Sequence, residues 1–536
     1  MASGAEVRVV AAIRVPLLRR SPPHLEQIPL SLFDVWFLPQ PPIQRLFLYD
    51  DDGGGGGADD YFPSLVESLR SSLADAVAVF FPLAGKLTYV PSTGDVVVDC
   101  SPSAVADGVA FLEVEVDGGT PARTPTERLD VPAFLRLVPS LEVPELPAPV
   151  LAVQATRFVG GGGGAASRRP ELLAVHGRVV GGGARPAISP APAFDRSAIV
   201  HPMAADMARR ILRKKAPELP LRRQKATAAV ALSRAGGGSG GVQGGDRALQ
   251  GGWGKRRLPG RAGEAVAVTA PSRSGGGSGG GGGGALQGGR GKRQRRRSPL
   301  GQIPTANLLR RTWERHVVTT LELDSHRIGH IKNRIAELDE ATTASPGTER
   351  RPRRLPSTFV AVAALVWSSV VRARASRQPD DGARAHLVFP ADCRRRLDPP
   401  VDAAYFGNCV RCCVAGAAAG DLADAHRGVL HAREAIREAI DGFLEHPMVE
   451  AFDAWIDAVA ALVRQPGFVA VTASPRFQVY EVDLGWGAPS RVEFASESLP
   501  NGMVAMTAGR KEASVQVMAT LRPEHMEAFR SQLLYW

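Results

Sequence analysis

The sequence predicts an α/β protein of two domains separated by a low-complexity insertion, and three observations predict it. Strand-like and helix-like apolar patterns alternate in both halves, the signature of mixed layers rather than an all-helix or all-sheet protein. The chain has 536 residues, more than a single core requires. Residues 234–298 interrupt the pattern and hold 13 Lys and Arg, 2 Asp and Glu and 24 of the 58 glycines, which accounts for the whole net charge of +11. The rest of the chain is charge-balanced, so its basicity says nothing about an acidic partner for the patterned halves.

Taken in order, residues 7–50 alternate strand-like pieces with polar turns, and the aromatic run 32–37 reads as a buried strand. Between 61 and 81, Tyr61, Leu65, Leu69, Leu73, Val77 and Phe80 recur at the spacing of one helix face. Residues 86–89 and 96–98 flank a Pro-Ser-Thr-Gly-Asp turn and read as a hairpin. Residues 151–158 and 171–175 are further strands around a glycine run, and 203–215 is a helix stopped by Pro217 and Pro220. Within the insertion, the nine residues starting at Ala248 recur from Ala285, a repeat of period 37 with no apolar periodicity, so disorder is expected. Beyond it the pattern predicts a strand at 317–323, a helix at 325–338 and an apolar, buried helix at 359–371. Strands follow at 387–390 and 409–414, then a helix at 422–444, strands at 479–484 and 515–520, and a closing helix at 523–534.

Five cysteines, none paired with His at zinc spacing, fit neither a disulfide framework nor a metal site, and a reducing compartment is expected. Arg8, Arg14, Arg19 and Arg20 break every early apolar run, and residues 359–371 are too few to span a bilayer. The expectation is a soluble, cytoplasmic monomer without a membrane partner. The basic run 292–297 lacks interleaved aromatics, which argues for a solvated charge run rather than a nucleic-acid site.

The densest motif is Asp483-Leu484-Gly485-Trp486-Gly487, where two glycines around a tryptophan allow a tight reversal fixed by a large anchor. With its flanks it resembles the Asp-Phe-Gly-Trp-Gly box of the plant BAHD acyltransferases. Four further segments resemble that family in the same order. They are Phe81-Pro82-Leu83-Ala84-Gly85 with residues 97–100, Ser357-Thr358-Phe359-Val360-Ala361 with Trp367, residues 391–400, and Tyr405-Phe406-Gly407-Asn408-Cys409. The last is similar to the branch that acylates anthocyanins and related phenolic glycosides.

The resemblance implies two similar chloramphenicol-acetyltransferase-like domains with mixed sheets and a tunnel between them. The domains would span 1–232 and 304–536, with 233–303 as the disordered insertion. It implies acyl-CoA as co-substrate, no bound cofactor or metal, and a phenolic or flavonoid glycoside as acceptor, receiving a malonyl or hydroxycinnamoyl group. It further implies that Asp483, Gly485, Trp486 and Gly487 form a structural motif of the tunnel, and that an arginine matching Arg394 or Arg396 pairs with the Asp of a His-x-x-x-Asp-Gly box. The His of that box is the family's general base, which removes the proton of an alcohol as it attacks the thioester.

None of the 11 histidines has Asp four positions on, and the nearest case, His446 with Glu450, reads as a solvated helix residue in the wrong half. The expected position reads His176-Gly177-Arg178-Val179-Val180-Gly181. In one register His176 is the base and Val180 replaces the Asp. In the other, Gly177 stands at the base and Gly181 at the Asp. The first needs one replacement and the second two, so His176 is the candidate base. Residues 182–192 also lack the tryptophan-containing helix that relatives carry there. A catalytically impaired member, or a defective reading frame, is therefore the alternative to a working enzyme, and nucleic-acid binding through the basic insertion is a third.

Overall fold

A computed structural model describes residues 7–38, 43–50, 58–117, 128–139, 146–159, 170–177, 191–201, 203–215, 316–343, 354–375, 383–448, 452–484, 487–495 and 500–536. The insertion lies outside them.

The N-terminal half runs β1 (Val7–Val15), β2 (Gln27–Pro29), α1 (Leu32–Val35), β3 (Ile43–Asp50), α2 (Ala58–Val79), β4 (Lys86–Val90), β5 (Asp95–Asp99), α3 (Pro102–Val105), β6 (Val109–Asp117), β7 (Arg128–Leu129), α4 (Val131–Leu135), β8 (Ala148–Pro149), β9 (Leu151–Val159), β10 (Pro170–Gly177) and α5 (Ala204–Lys215). The C-terminal half follows with β11 (Val317–Leu323), α6 (Ser325–Thr343), α7 (Thr358–Ala375), β12 (Arg384–Asp392), β13 (Val410–Ala418), α8 (Ala419–Ala423), α9 (Gly428–Glu445), α10 (Phe452–Leu462), β14 (Phe468–Thr472), β15 (Arg491–Ala495), β16 (Met503–Ala508), β17 (Val515–Leu521) and α11 (Pro523–Tyr535).

Three sheets organise these elements. One has the order β1-β6-β9-β10-β3-β15, the second β13-β12-β14-β16-β17-β11-β7, and a small third β2-β5-β4-β8. Both large sheets mix parallel and antiparallel pairs, as β6 with β9 and β12 with β14 are parallel. The two halves exchange strands. β15, from the C-terminal half, pairs antiparallel with β3, and the short β7, from the N-terminal half, pairs with β11.

Local sequence explains most elements. α2 turns Phe62, Val66, Leu69 and Val77 into one core with Phe47, Phe111 and Val153 of the first sheet, as the helix-face spacing requires. α7 is apolar all round and sits in the core, with residues 361–371 all buried. At 18 residues it is longer than the expected 13 and reaches a length and apolarity that could cross a membrane, yet most of it is enclosed by the fold. Four phenylalanine and tryptophan side chains, Phe33, Trp36, Phe452 and Trp455, interlock between α1 and α10, with Phe33 edge-on to Phe452 at 5.7 Å and Phe452 stacked on Trp455 at 5.3 Å.

Three elements differ from expectation. Residues 32–37 are not a strand. Ser31 and Asp34 form a reciprocal capping box that starts the helical turn α1, and such a box satisfies two backbone donors that an extended chain would leave to a sheet partner. Residues 479–481 form a 3₁₀ turn rather than a strand. The helix expected at 422–444 is two helices, because Asp424 accepts from the backbone N–H of His426 and Arg427 at 2.8 and 2.6 Å and restarts the chain there. Gly428 opens the second helix in contact with the first, and a Cβ on it would stand 2.3 Å from the Leu422 carbonyl oxygen. The strands β6, β14 and β16 and the helix α10 were not singled out by pattern.

Candidate active site

β10 carries the candidate base at its C-terminal end. Its ladder is antiparallel on both sides, with His176 opposite Gln44 of β3 and opposite Ala152 of β9. Residues facing one another across an antiparallel pair share a sheet face. On β3 that face also carries Leu46 and Leu48, which pack with Val318, Ala505 and Met518 of the second sheet. The opposite face carries Phe47 and Tyr49 and packs on α2. The row of Ala152, His176 and Gln44 therefore belongs to the face turned towards the C-terminal half. Arg178, Val180 and Gly181 lie outside the described residues, as does the expected partner for an arginine at position 180.

A cleft of about 250 Å3 opens at this end of the sheet, with Arg14, Lys86, Asp107 and Leu151 among its lining residues. Leu151 pairs with Gly177, the residue after the candidate base. Lys86 donates to Asp107 at 2.6 Å, and this contact holds the Asp107 carboxyl below the usual carboxylate range. A larger cavity of about 410 Å3 lies beside the C-terminal Trp536, lined by His330, Arg334, Glu337 and His426, and shares no lining residue with this cleft.

The two flanks of the tryptophan turn are held by contacts near the N-terminal half's Tyr49. Gly485 and Trp486 lie outside the described residues, but both ends of the turn are placed. Asp483 Oδ1 accepts from the Gly487 N–H at 3.0 Å, and Gly487 has φ of +78°, a conformation that favours glycine. The Tyr49 hydroxyl donates to the Val482 carbonyl at 3.1 Å. Burial first, and then the Asp483 charge, raise the pKa of that hydroxyl. Leu484, which stands in place of the family's Phe, packs against the core on the α2 face. Tyr49 is five residues from Gln44 along β3, so the strand position that Val482 contacts lies roughly 17 Å from the register row of residue 176, at about 3.4 Å per residue.

Arg394 and Arg396 are engaged locally. Arg394 contacts Asp392 Oδ1 at 3.1 Å and donates to the Gly407 carbonyl at 2.9 Å. Arg396 donates to the Asp392 carbonyl at 3.0 Å and lies 5.5 Å over the Phe443 ring. With Asp392 already facing Arg394, replacement of the box Asp by Val180 does not leave that guanidinium as a bare buried charge.

Cys412 and Cys413 lie on β13, where burial pushes their thiols up to about 12 and about 11, so both are protonated packing groups at neutral pH. His446 is the exposed cap of α9. No group of three or more metal-ligating side chains occurs among the described residues.

Sequence reasoning missed a buried polar cluster that joins the halves. Asp34 Oδ2 receives the Arg196 Nε at 2.9 Å and the Ser31 hydroxyl at 2.7 Å. Its Oδ1 receives the backbone and side-chain N–H groups of Asn408 at 3.0 and 2.9 Å. Asp34 and Asn408 are each 2% exposed and Arg196 8%. Arg196 also donates to the Phe194 and Phe406 carbonyls and lies 5.2 Å from the Tyr405 ring. This cluster explains the box at 405–409. Asn408 anchors Asp34, Phe406 packs on Phe80 and Phe194, and a Cβ at Gly407 would strike the Tyr405 ring at 2.6 Å. The one local signal was the Ser31 and Asp34 capping-box spacing.

Two large mixed sheets that exchange strands, with a histidine position on the face between them, define a class of fold that solved structures contain. Vinorine synthase superposes with a TM-score of 0.57 at 14% identity, covering 99% of this chain and 98% of that one. The expected chloramphenicol-acetyltransferase-like architecture is therefore the one present. The profile of the Transferase family matches residues 19–166 and 301–534, and the chain belongs to that family, the BAHD acyltransferases. It is 32% identical over 176 residues to malonyl-coenzyme:anthocyanin 5-O-glucoside-6'''-O-malonyltransferase of Salvia splendens, covering 32% of this chain and 37% of that protein. It is 38% identical over 175 residues to BAHD acyltransferase DCR of Arabidopsis thaliana, covering 32% and 35%. Phenolic glucoside malonyltransferase 1 of Arabidopsis thaliana is 28% identical over 177 residues, covering 33% and 36%. The chain thus spans little more than a third of the length of these curated relatives.

Proposed function

We propose that the protein transfers an acyl group, of malonyl or hydroxycinnamoyl type, from acyl-CoA to a hydroxyl of an anthocyanin, flavonoid or other phenolic glycoside, with His176 as general base. The observation that carries this reading is the position of residue 176, at the end of β10 in the register row of Gln44 and Ala152, on the sheet face turned towards the other half. In this reading the imidazole takes the acceptor proton as the oxygen attacks the thioester carbonyl. The carbonyl collapses with release of CoA, which leaves as the thiol by taking that proton. Acyl-CoA is consumed as a co-substrate, and the chemistry calls for no resident cofactor. The substrates named for the similar Salvia splendens and Arabidopsis thaliana proteins support the choice of donor and acceptor.

The test is incubation of the purified full-length protein with malonyl-CoA or a hydroxycinnamoyl-CoA and a panel of phenolic glycosides, with products read by mass spectrometry. The expected result is an acylated glycoside, with His176→Ala lowering kcat/KM by roughly 10²–10⁴-fold. Absence of product from folded protein, or unchanged turnover in His176→Ala, would overturn the assignment. Val180, where the family's box has Asp, favours a second reading in which the protein is catalytically impaired. A rise in turnover on Val180→Asp would identify that lesion.

A further inference from the structure

Two of the five cysteines face each other across the end of a ladder. The register of β12 and β13 pairs Asp392 with Val410, and one step further it sets Cys393 opposite Cys409. The backbone takes that step, since the Cys393 N–H donates to the Cys409 carbonyl at 2.8 Å. Residues opposite one another in an antiparallel pair share a sheet face, and a hydrogen-bonded pair has its Cα atoms about 5.5 Å apart. That spacing falls inside the range of about 4.4–6.8 Å over which a disulfide joins two Cα atoms. Both side chains turn into the core, where each is 0% exposed, and both thiols are free. Burial first raises the pKa of both, and the charge of Cys409 then raises that of Cys393, an influence that neighbouring sulfurs exert.

No other pair of the five shares this geometry. Cys412 and Cys413 are consecutive on β13, opposite Pro390 and Phe389, and so point to opposite faces of the sheet. Cys413 shares a face with Cys409 but stands four residues along the strand, about 14 Å away at 3.4 Å per residue. Cys100 follows β5 in the small third sheet, its thiol at the Val98 carbonyl. The segment between Cys393 and Cys409 is the one that ties the halves together. Its Arg394 donates to the Gly407 carbonyl at 2.9 Å, and its Asn408 holds Asp34 through both the backbone and the side-chain N–H.

We propose that Cys393 and Cys409 form a reversible dithiol switch, joined by a peroxide oxidant into a cross-strand disulfide that latches residues 394–408. One sulfur attacks hydrogen peroxide, the O–O bond breaks, and a sulfenic acid and a water result. The second sulfur displaces the sulfenic oxygen, the S–S bond forms, and that oxygen leaves as a second water. The two thiol protons end in the two waters, each sulfur gives up one electron, and a dithiol reductant reverses the step. Both residues lie just past the last ladder pair, where a sheet frays first, and this opening admits the oxidant.

The test is peptide mapping of the intact full-length protein, treated with hydrogen peroxide under native conditions, alkylated and digested without reductant. The expected result is a linked pair of peptides holding Cys393 and Cys409, separated by dithiothreitol, with Cys100, Cys412 and Cys413 alkylated. The oxidised protein should also unfold at a higher urea concentration than the reduced one, because the bridge closes a loop in the unfolded chain and lowers its entropy. Cys409→Ala should abolish both changes, and the mapping of the parent protein stands without it should that variant fail to fold. Free thiols at both positions after treatment, a link from either to another cysteine, or a bridge that forms only in urea overturns the proposal. A bridge that leaves the urea midpoint where it was overturns the latch.

Discussion

Replacing Arg196 by Met tests whether the buried cluster at Asp34 joins the two halves. Asp34 lies in α1, Arg196 lies just before α5, and Asn408 comes from the C-terminal half, so three distant segments meet at one carboxylate. With Arg196 gone, Asp34 stays 2% exposed and keeps only neutral donors from Ser31 and Asn408. Removing one partner of a buried pair costs about 3–5 kcal/mol. Two further hydrogen bonds to the Phe194 and Phe406 carbonyls vanish with the guanidinium, at 3.1 and 2.8 Å, which places the expected loss at the upper end of that range. Removing both charges in Asp34→Leu with Arg196→Met relieves the bare carboxylate, so the double variant should lose about 2–3 kcal/mol less than the sum of the single losses. Urea denaturation followed by tryptophan fluorescence measures all four corners of this cycle. A loss below about 1 kcal/mol in Arg196→Met, or strict additivity in the double variant, would refute the reasoning.

Two other predictions follow from local geometry. Backbone hydrogen bonds from Arg427 and then His426 depress the Asp424 pKa, so the folded protein holds its carboxylate more strongly than the unfolded chain does. That contribution is fully present above the unfolded carboxyl value of about 3.9 and is lost as pH falls through the lower folded value. Asp424→Ala should therefore lower stability at neutral pH by no more than about 1 kcal/mol at this exposed site, and the difference from the parent should fade below pH ~4 in denaturation curves. Asp483→Ala removes the acceptor that closes the tryptophan turn. Thermal melting should show a loss of about 1 kcal/mol, the scale of one removed hydrogen bond, and an unchanged melting curve would refute the role of this bond.

The legible parts of the fold were those written within a few residues. α2 follows from its helix-face spacing, the β4 and β5 hairpin from its turn residues, and α7 from a run of apolar residues with no polar face. α1 was misread because an aromatic stretch such as Phe33 to Trp36 suits a strand or a buried helical turn equally, and only the cap decides. The site was half legible. The pattern ended the strand at 175 and the resemblance put His176 just beyond it, whereas β10 runs on through Gly177 and pairs residue 176 with Gln44, 132 residues earlier and without a motif of its own.

By itself the sequence determined the α/β class, the family, the insertion that holds all the net charge, and the histidine with Val180 four residues on. Those are properties of composition, periodicity and short motifs, which each segment carries whatever its neighbours do. Only the tertiary structure decided that β15 and β7 cross between the sheets, that Asp34 meets Arg196 and Asn408 across 162 and 374 residues, and that residue 176 stands opposite Gln44 in the ladder. Strand partners and buried ion pairs are fixed by which distant surfaces exclude water together, and no local pattern records that choice.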